Sequence, residues 1–360
     1  MRKMKITDIK VDRYNLSLKK PFKIALGEIK DAKNVLVRVF CDELVGVGEG
    51  APSPLITGDN QEGCLSFIDA IAPALRGEEP NLQVLEEKTS YIKGVPAAKA
   101  ALDIAIYDLI GKYFSEPLCR ILGGYRKEYR NEIETDITIG IGSPEIVEKL
   151  AMEAASEGYG IIKIKAEGDI KADLEKVELL DSMGFKIRVD ANQGFTPKDA
   201  VRFIKKLSNF NVEFIEQPVA AWDIDALKYV RENSEIPVIA DESVHSARDA
   251  LLVVKHDAVD GINIKLMKCG GISEAIKIIH VAESAGIPCM IGCMLESRVS
   301  LTAAAHLAFA FKNIKYVDLD SHLFLRDDPV KGGIEVKDGK ISLPDEPGLG
   351  IEAIGRVGKV

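Results

Sequence analysis

The sequence predicts an α/β fold: a (β/α)8-type parallel barrel preceded by a smaller α+β domain. Three observations predict it. First, from about residue 129 an apolar β-rich segment, a turn carrying Gly, Pro, Asp or Asn, and a helical stretch recur in that order; the β-rich segments are ETDITIGI, GIIKIKA, KIRVDAN, VEFIEQP, PVIADES, GINIKLM, CMIGCML and YVDLD. Second, one polar or strand-end residue from each of the last seven, Lys165, Asp190, Glu216, Asp241, Lys265, Cys293 and Asp318, recurs at intervals of 25, 26, 25, 24, 28 and 25 residues. That interval holds one strand, one helix and two short connections, and repeated β-α units require parallel strands with the helices outside. Third, the first 125 or so residues lack this rhythm. Eight such strands close into a barrel whose usual size of ~250 residues fits the rest of the chain, with a doubly wound open sheet as the alternative.

In chain order, KITDIKVDRYNLSL, NVLVRVFCD and LVGVGEG read as three antiparallel strands, followed by helices near 60–75 and 96–113, so residues 1–128 form the α+β domain. The glycines of GVGEG at 46–50 lack the helix that a dinucleotide-binding loop needs, and read as hairpin and close-packing positions. The barrel occupies 129–324. Its helices are visible in SPEIVEKLAMEAASEG, DLEKVELLDSMG, TPKDAVRFIKKLSN and SEAIKIIHVAESAG, whose apolar residues fall at three-and-four spacing. Thr196 and Ser273 read as N-caps, with Pro197 at the first helical position. After residue 325 the rhythm stops, IEVKDGKISL reads as a hairpin turning at Asp338 and Gly339, and the tail 325–360 is expected to pack with the amino-terminal domain.

Composition limits the function. The 360 residues, 46% hydrophobic, can bury a large core. A balance of 56 acidic against 47 basic residues, net −9, argues against nucleic-acid or anionic-membrane partners. No apolar run approaches the ~18 residues of a membrane span, and MRKMKITDIK passes directly into strand-like alternation, so a cytoplasmic location is expected. Six cysteines with no C-x-x-C pair read as reduced core thiols. Cys289 and Cys293, at i and i+4 of a strand, would stand ~13 Å apart, too far to share a zinc ion.

The chemistry concentrates at the strand ends. In IIKIKAEG, residues 161–168, Lys163 and Lys165 share one strand face and Ile162 and Ile164 the other. A solvent-facing strand needs nothing more; a closed interior would let each ammonium depress the pKa of the other. Asp190, Glu216 and Asp241 end three consecutive strands, at the carboxyl-terminal face where barrel chemistry sits. Singly, Asp190 could cap a turn, Glu216 could pair with a lysine, and Asp241 could cap a helix. Together, three converging carboxylates repel unless a cation neutralises them, and an all-oxygen set favours Mg2+, or Mn2+ in its place. Lys165 on the second strand and Lys265 on the sixth then lie across the barrel from each other. A metal-bound carboxylate substrate would have its α-carbon between two amines, one to remove the α-proton and one to return it on the opposite face, with the cation stabilising an enediolate. This geometry describes an epimerase or racemase.

KIK, DANQG, EQP, ADES and NIKLMK, in this order and spacing, with KAALDIAIYDL and ILGG in the first domain, resemble the enolase superfamily and its muconate-lactonizing subgroup. The resemblance covers nearly the whole chain. It implies a modified TIM barrel, (β/α)7β, whose carboxyl tail returns to an amino-terminal capping domain. It also implies Lys165 and Lys265 as the catalytic pair and one Mg2+ on Asp190, Glu216 and Asp241. Asn192 and Glu242 would lie behind these ligands. Substrate would be bound by Lys163, Asp318, Asp320, Thr135, Ile56, Phe22, Ile24 and Met294, in a homo-oligomer. Within the subgroup, D-x-D at Asp318 and Asp320 is similar to the signature of dipeptide epimerases, where two carboxylates hold the substrate's α-ammonium. The alternatives are an N-succinylamino-acid racemase, an o-succinylbenzoate synthase and, from another class, a catalytically inactive metal-binding barrel. KPFKIALGE at 20–28 is expected to form a loop closing over the substrate, with Gly27 where members specific for Ala-Glu carry arginine. Lys23 is a poor replacement for that planar fork. With Phe22, Ile24, Leu26, Leu55 and Ile56 around it, the enclosure is expected to favour an apolar or aromatic carboxyl-terminal residue.

Overall fold

The computed structural model describes residues 4–24, 27–124 and 131–355, without the side chains of 22–24 and 27–28. Eight parallel strands, Ile137–Ile139, Ile161–Lys165, Lys186–Asp190, Val212–Glu216, Val238–Ala240, Gly261–Ile264, Cys289–Ile291 and Ile314–Val317, lie side by side in chain order. The curled sheet is stitched across its ends: the Asp136 N–H donates to Val317 O (3.3 Å), and the buried Arg188 guanidinium donates to Val317 O (2.8 Å) and Asp136 Oδ2 (2.7 Å).

Helices Pro144–Ser156, Ile170–Ser182, Pro197–Leu207, Ile224–Glu232, Ala247–Lys255, Ile272–Ser284 and Arg298–Ala310 each follow one of the first seven strands. Among the described residues the eighth strand leads instead into a single 3-10 turn, Ser321–Phe324, so the barrel is (β/α)7β and not eightfold. Thr196 is an N-cap, its hydroxyl accepting the Asp199 N–H (3.3 Å), with Pro197 opening the helix. Ser273 is not. Its helix begins at Gly271, whose φ of 122° suits glycine, and the free N–H groups of Ile272 and Ser273 donate to the buried Asp103 carboxylate of the amino-terminal domain (2.6 and 3.3 Å).

That domain pairs strands Asp8–Ile24, Gly27–Cys41 and Leu44–Gly50 antiparallel, with helices Gln61–Leu75, Leu82–Thr89 and Pro96–Phe114. The glycines of GVGEG set its packing. A Cβ on Gly46, Gly48 or Gly50 would fall 2.0, 2.1 or 2.4 Å from the carbonyl oxygens of Ala105, Ala101 and Ala97, so strand and helix meet backbone to backbone. Alternate glycines at strand period face alanines spaced four apart on the helix. Residues 20–24 and 27–28, expected as a loop, continue the first two strands, with Phe22 opposite Ile29 and Ile24 opposite Gly27.

The carboxyl tail touches both parts. Arg326 donates its N–H to Ser17 O (2.7 Å), and Leu349 donates to Asp108 Oδ1 (2.8 Å). The hairpin of Glu335–Lys337 and Lys340–Ser342 turns at Asp338 and Gly339, both at positive φ (51° and 67°), and pairs with Ile133–Glu134. No described helix is long and apolar enough to cross a membrane.

Candidate active site

Register brings the site together. Lys165 pairs with Asp190 and Asp190 with Glu216, so the three stand level across adjacent strands. Asp241 and Lys265 follow directly after the fifth and sixth strands. Neither lysine of KIK faces solvent: Lys163 is 1% exposed and Lys165 7%. Ile162 and Ile164, on the other face of the strand, are buried in the main apolar core.

Lys163 is surrounded by carboxylates, 2.8 Å from Glu216 Oε2, 2.8 Å from Asp318 Oδ2 and 3.1 Å from Asp190 Oδ2. Burial opposes its charge, but Asp318, Glu216 and Asp190 outweigh burial and hold the ammonium well above the usual lysine range. Lys165 donates to Asp190 Oδ2 (2.6 Å) and Lys265 to Asp241 Oδ2 (2.8 Å). Lys265 is also raised, Asp241 overcoming the burial. Against the burial that would raise both carboxyls, Lys165 and Lys163 hold Asp190 below its ordinary range, and Lys265 and Lys268 hold Asp241 well below. Glu216, buried beside Asp190, is pushed up to about 7.

The three carboxylates suit a hard divalent cation. One oxygen from each lies within 4.8 Å of the others, and all three residues are buried. Glu216 Oε2 and Asp241 Oδ1, although buried, receive no well-directed hydrogen bond, their nearest charges being Lys163 at 2.8 Å and Lys268 at 2.5 Å. A donor set of carboxylate oxygens alone favours Mg2+ or Mn2+ over zinc. Behind it, Asn192 Nδ2 donates to Glu242 Oε1 (3.1 Å), and the Asn192 N–H donates to Asp190 Oδ1 (2.9 Å).

The site opens into a cavity of about 580 Å³ shared with the amino-terminal domain. Lys163, Lys165, Lys265, Asn192, Ile56, Met294, Asp318 and Asp320 line it, as do Ile29, Leu55, Leu295 and Phe324. Asp318 and Asp320 lie beyond the eighth strand and not on it, because the strand ends at Val317. Both are buried, and Asp320 Oδ2 accepts the Thr138 N–H (2.5 Å). Buried beside Asp318, Asp320 is pushed up to about 7. Thr135 does not line the cavity: it lies before the first strand and its hydroxyl accepts the Leu319 N–H (3.2 Å) at the barrel seam. Thr138 lines it instead, with its hydroxyl 3.4 Å from Asp318 Oδ1. Phe22, Lys23, Ile24, Leu26 and Gly27 lie outside the residues whose side chains are described.

Two buried groups carry no periodic signal in the sequence. Lys268, three residues past Lys265, holds Asp241 from behind and donates to Asn263 O (3.1 Å). Glu49 accepts from Asn34 Nδ2 (2.7 Å), the Ser297 N–H (3.0 Å) and Ser297 Oγ (2.7 Å), tying the amino-terminal domain to the segment after the seventh strand.

An acid-base constellation at the carboxyl-terminal mouth of a (β/α)7β barrel, closed by an α+β domain, is the architecture of an enolase-type enzyme. Residues 6–123 match the amino-terminal domain of mandelate racemase and muconate lactonizing enzyme, and residues 145–356 match the enolase C-terminal domain-like family, so the chain belongs to the mandelate racemase/muconate lactonizing branch of the enolase superfamily. A hydrophobic dipeptide epimerase of Enterococcus faecalis is 45% identical, covering 97% of this chain and 99% of that protein. The crystal structure of a dipeptide epimerase from that organism, complexed with Mg and L-Leu-L-Tyr, superposes with a TM-score of 0.93 at 44% identity, covering 97% of this chain and 99% of the other. An L-Ala-D/L-Glu epimerase of Clostridium acetobutylicum is 43% identical, covering 98% and 99%. An N-succinyl-L-Arg/Lys racemase of Bacillus cereus is 36% identical, covering 97% and 95%. The chain is an isomerase.

Proposed function

We propose that the chain is a divalent-cation-dependent dipeptide epimerase, using Mg2+ or Mn2+, that inverts the α-carbon of the residue bearing the free carboxylate. The observation that carries this reading is the buried triad of Asp190, Glu216 and Asp241 between Lys165 and Lys265, four strands apart in an eight-stranded barrel, with Asp318 and Asp320 on the same cavity. Asp190, Glu216 and Asp241 would hold the cation, which supplies positive charge to the substrate carboxylate as the α-carbon becomes electron-rich. Lys165 and Lys265 exchange the proton on opposite faces: whichever is neutral removes it, and the other, as an ammonium, delivers one. Lys163 keeps a fixed positive charge beside them. Asp318 and Asp320 receive the α-ammonium of the amino-terminal residue. An N-succinylated substrate lacks that ammonium and would bring a further carboxylate to two buried aspartates, which disfavours the racemase alternative.

Ile29, Leu55, Ile56, Met294, Leu295 and Phe324 make the enclosure mainly apolar, which supports a preference for apolar or aromatic carboxyl-terminal residues. The hydrophobic dipeptide epimerase among the relatives supports the same preference. Dipeptides incubated in D2O and read by mass spectrometry test both parts. Deuterium should enter one α-position, with kcat/KM higher for Ala-Phe and Ala-Leu than for Ala-Glu. A clear advantage for Ala-Glu would overturn the specificity, and no exchange in any dipeptide would overturn the activity.

A further inference from the structure

We infer that Gln217 is a positioning residue, one buried amide that fixes the carboxylate ends of the fourth and fifth strands relative to each other; the inference rests on the reading of Asp190, Glu216 and Asp241 as cation ligands. The fifth strand stops at Ala240, so Asp241 lies outside the ladder and its N–H needs another acceptor. Gln217 Oε1 supplies it (3.0 Å) and also accepts the Ser243 N–H (3.1 Å). On the same amide, Nε2 donates to Val219 O (3.0 Å) and Ser243 Oγ (2.8 Å). All four hydrogen-bonding positions of the amide are filled, and the residue is 0% exposed.

The backbone of Gln217 is constrained as well. Its N–H donates to Ile239 O (2.9 Å) and its carbonyl accepts the Gln193 N–H (2.8 Å), so it is bound to the neighbouring segments on both sides. Its φ is 37°, a left-handed conformation that a non-glycine residue keeps only where its surroundings enforce it. Glu216 precedes it directly, so this one side chain and its own backbone join two of the three carboxylate positions. Groups that orient ligands in this way tune a cation site without touching the cation.

Mg2+ binding to the folded enzyme, measured by isothermal titration calorimetry after chelator treatment, separates positioning from simple stability. Gln217→Met keeps the length and removes every hydrogen bond of the side-chain amide, whereas Gln217→Gly admits the same φ and also removes that amide. Both should weaken Mg2+ binding by roughly 10–100-fold while circular dichroism shows a native fold. Ser243→Ala, which removes one hydroxyl partner, should weaken it by about 2–10-fold and carries the test if neither Gln217 variant folds. An unchanged Kd in a folded Gln217 variant, or in Ser243→Ala where it alone folds, overturns the inference. Asp241→Asn distinguishes the two layers. If it binds Mg2+ as wild type does, the ligand reading itself fails; if it binds weakly while Gln217→Met binds normally, only the role of Gln217 fails.

Discussion

Replacing Lys163 with methionine keeps a long apolar stem and removes the one charge that three buried carboxylates share. The ammonium is 1% exposed and lies 2.8 to 3.1 Å from Glu216, Asp318 and Asp190, so its loss leaves the acids facing each other without their shared counter-charge. Removing one partner of a buried ion pair costs about 3–5 kcal/mol. For 360 residues melting as one unit, at ~2.1 cal/mol/K per residue, the unfolding entropy is about 0.76 kcal/mol/K, and the melting temperature should fall by about 4–7 °C. Differential scanning calorimetry in EDTA reads this directly. The deficit should shrink in excess MgCl2, because a cation bound only by the folded form stabilises it and takes over part of the neutralisation. A Lys163→Met protein melting with wild type in EDTA would refute the reasoning, and so would a deficit indifferent to Mg2+.

Asp320→Asn should lower kcat/KM for unblocked dipeptides by about 30-fold or more, the effect of truncating a buried charge pair worth ~2–5 kcal/mol, and steady-state kinetics would contradict the ammonium role if the constant were unchanged. A pH effect is expected at His306, which is not among the residues lining the cavity. Burial pushes this imidazole from 6.5 down to about 3, with Nδ1 accepting the Cys119 N–H (3.0 Å). The folded value is below the unfolded one, so the unfolded chain takes up the proton first; the stability is fully present above about pH 6.5 and is lost as pH falls towards about 3. Between pH 7 and pH 5 wild type should lose about 2 kcal/mol more than His306→Gln in urea unfolding, and equal losses would exclude His306 as the cause.

The barrel and its charges were legible because strand-helix units repeat locally. A 25-residue rhythm puts Lys165, Asp190, Glu216, Asp241 and Lys265 at one barrel end whatever the rest of the chain does. Thr135, expected at the substrate from the resemblance, lies before a first strand only three residues long, and Thr138 within that strand lines the cavity. A short strand gives too few alternations to fix its phase. Ser273 looked like a cap because the group that actually serves its helix, Asp103, is 169 residues away from Ile272 in sequence. A still larger separation, 248 residues, hides Glu49 from Ser297. Gln217 and Lys268 stand within EQP and NIKLMK, yet their partners are main-chain groups, the Ser243 hydroxyl and the Asp241 carboxylate, which nothing in one sequence pairs with them. The loop expected at 20–28 rests on the resemblance, whereas the described residues 20–24 and 27–28 continue two paired strands, with Phe22 and Ile24 at strand period.

The central claim is proton exchange between two lysines on opposite faces of one α-carbon, and the most direct measurement is deuterium exchange by single-lysine variants. Lys165→Ala and Lys265→Ala, each supplied with Mg2+ and with one or the other isomer of an Ala-Phe dipeptide in D2O, should not epimerise it. Each variant should still exchange the α-proton of only one isomer, the one whose proton faces the remaining lysine, and the two variants should prefer opposite isomers. Full epimerisation by either variant, or exchange of the same isomer by both, would contradict the account.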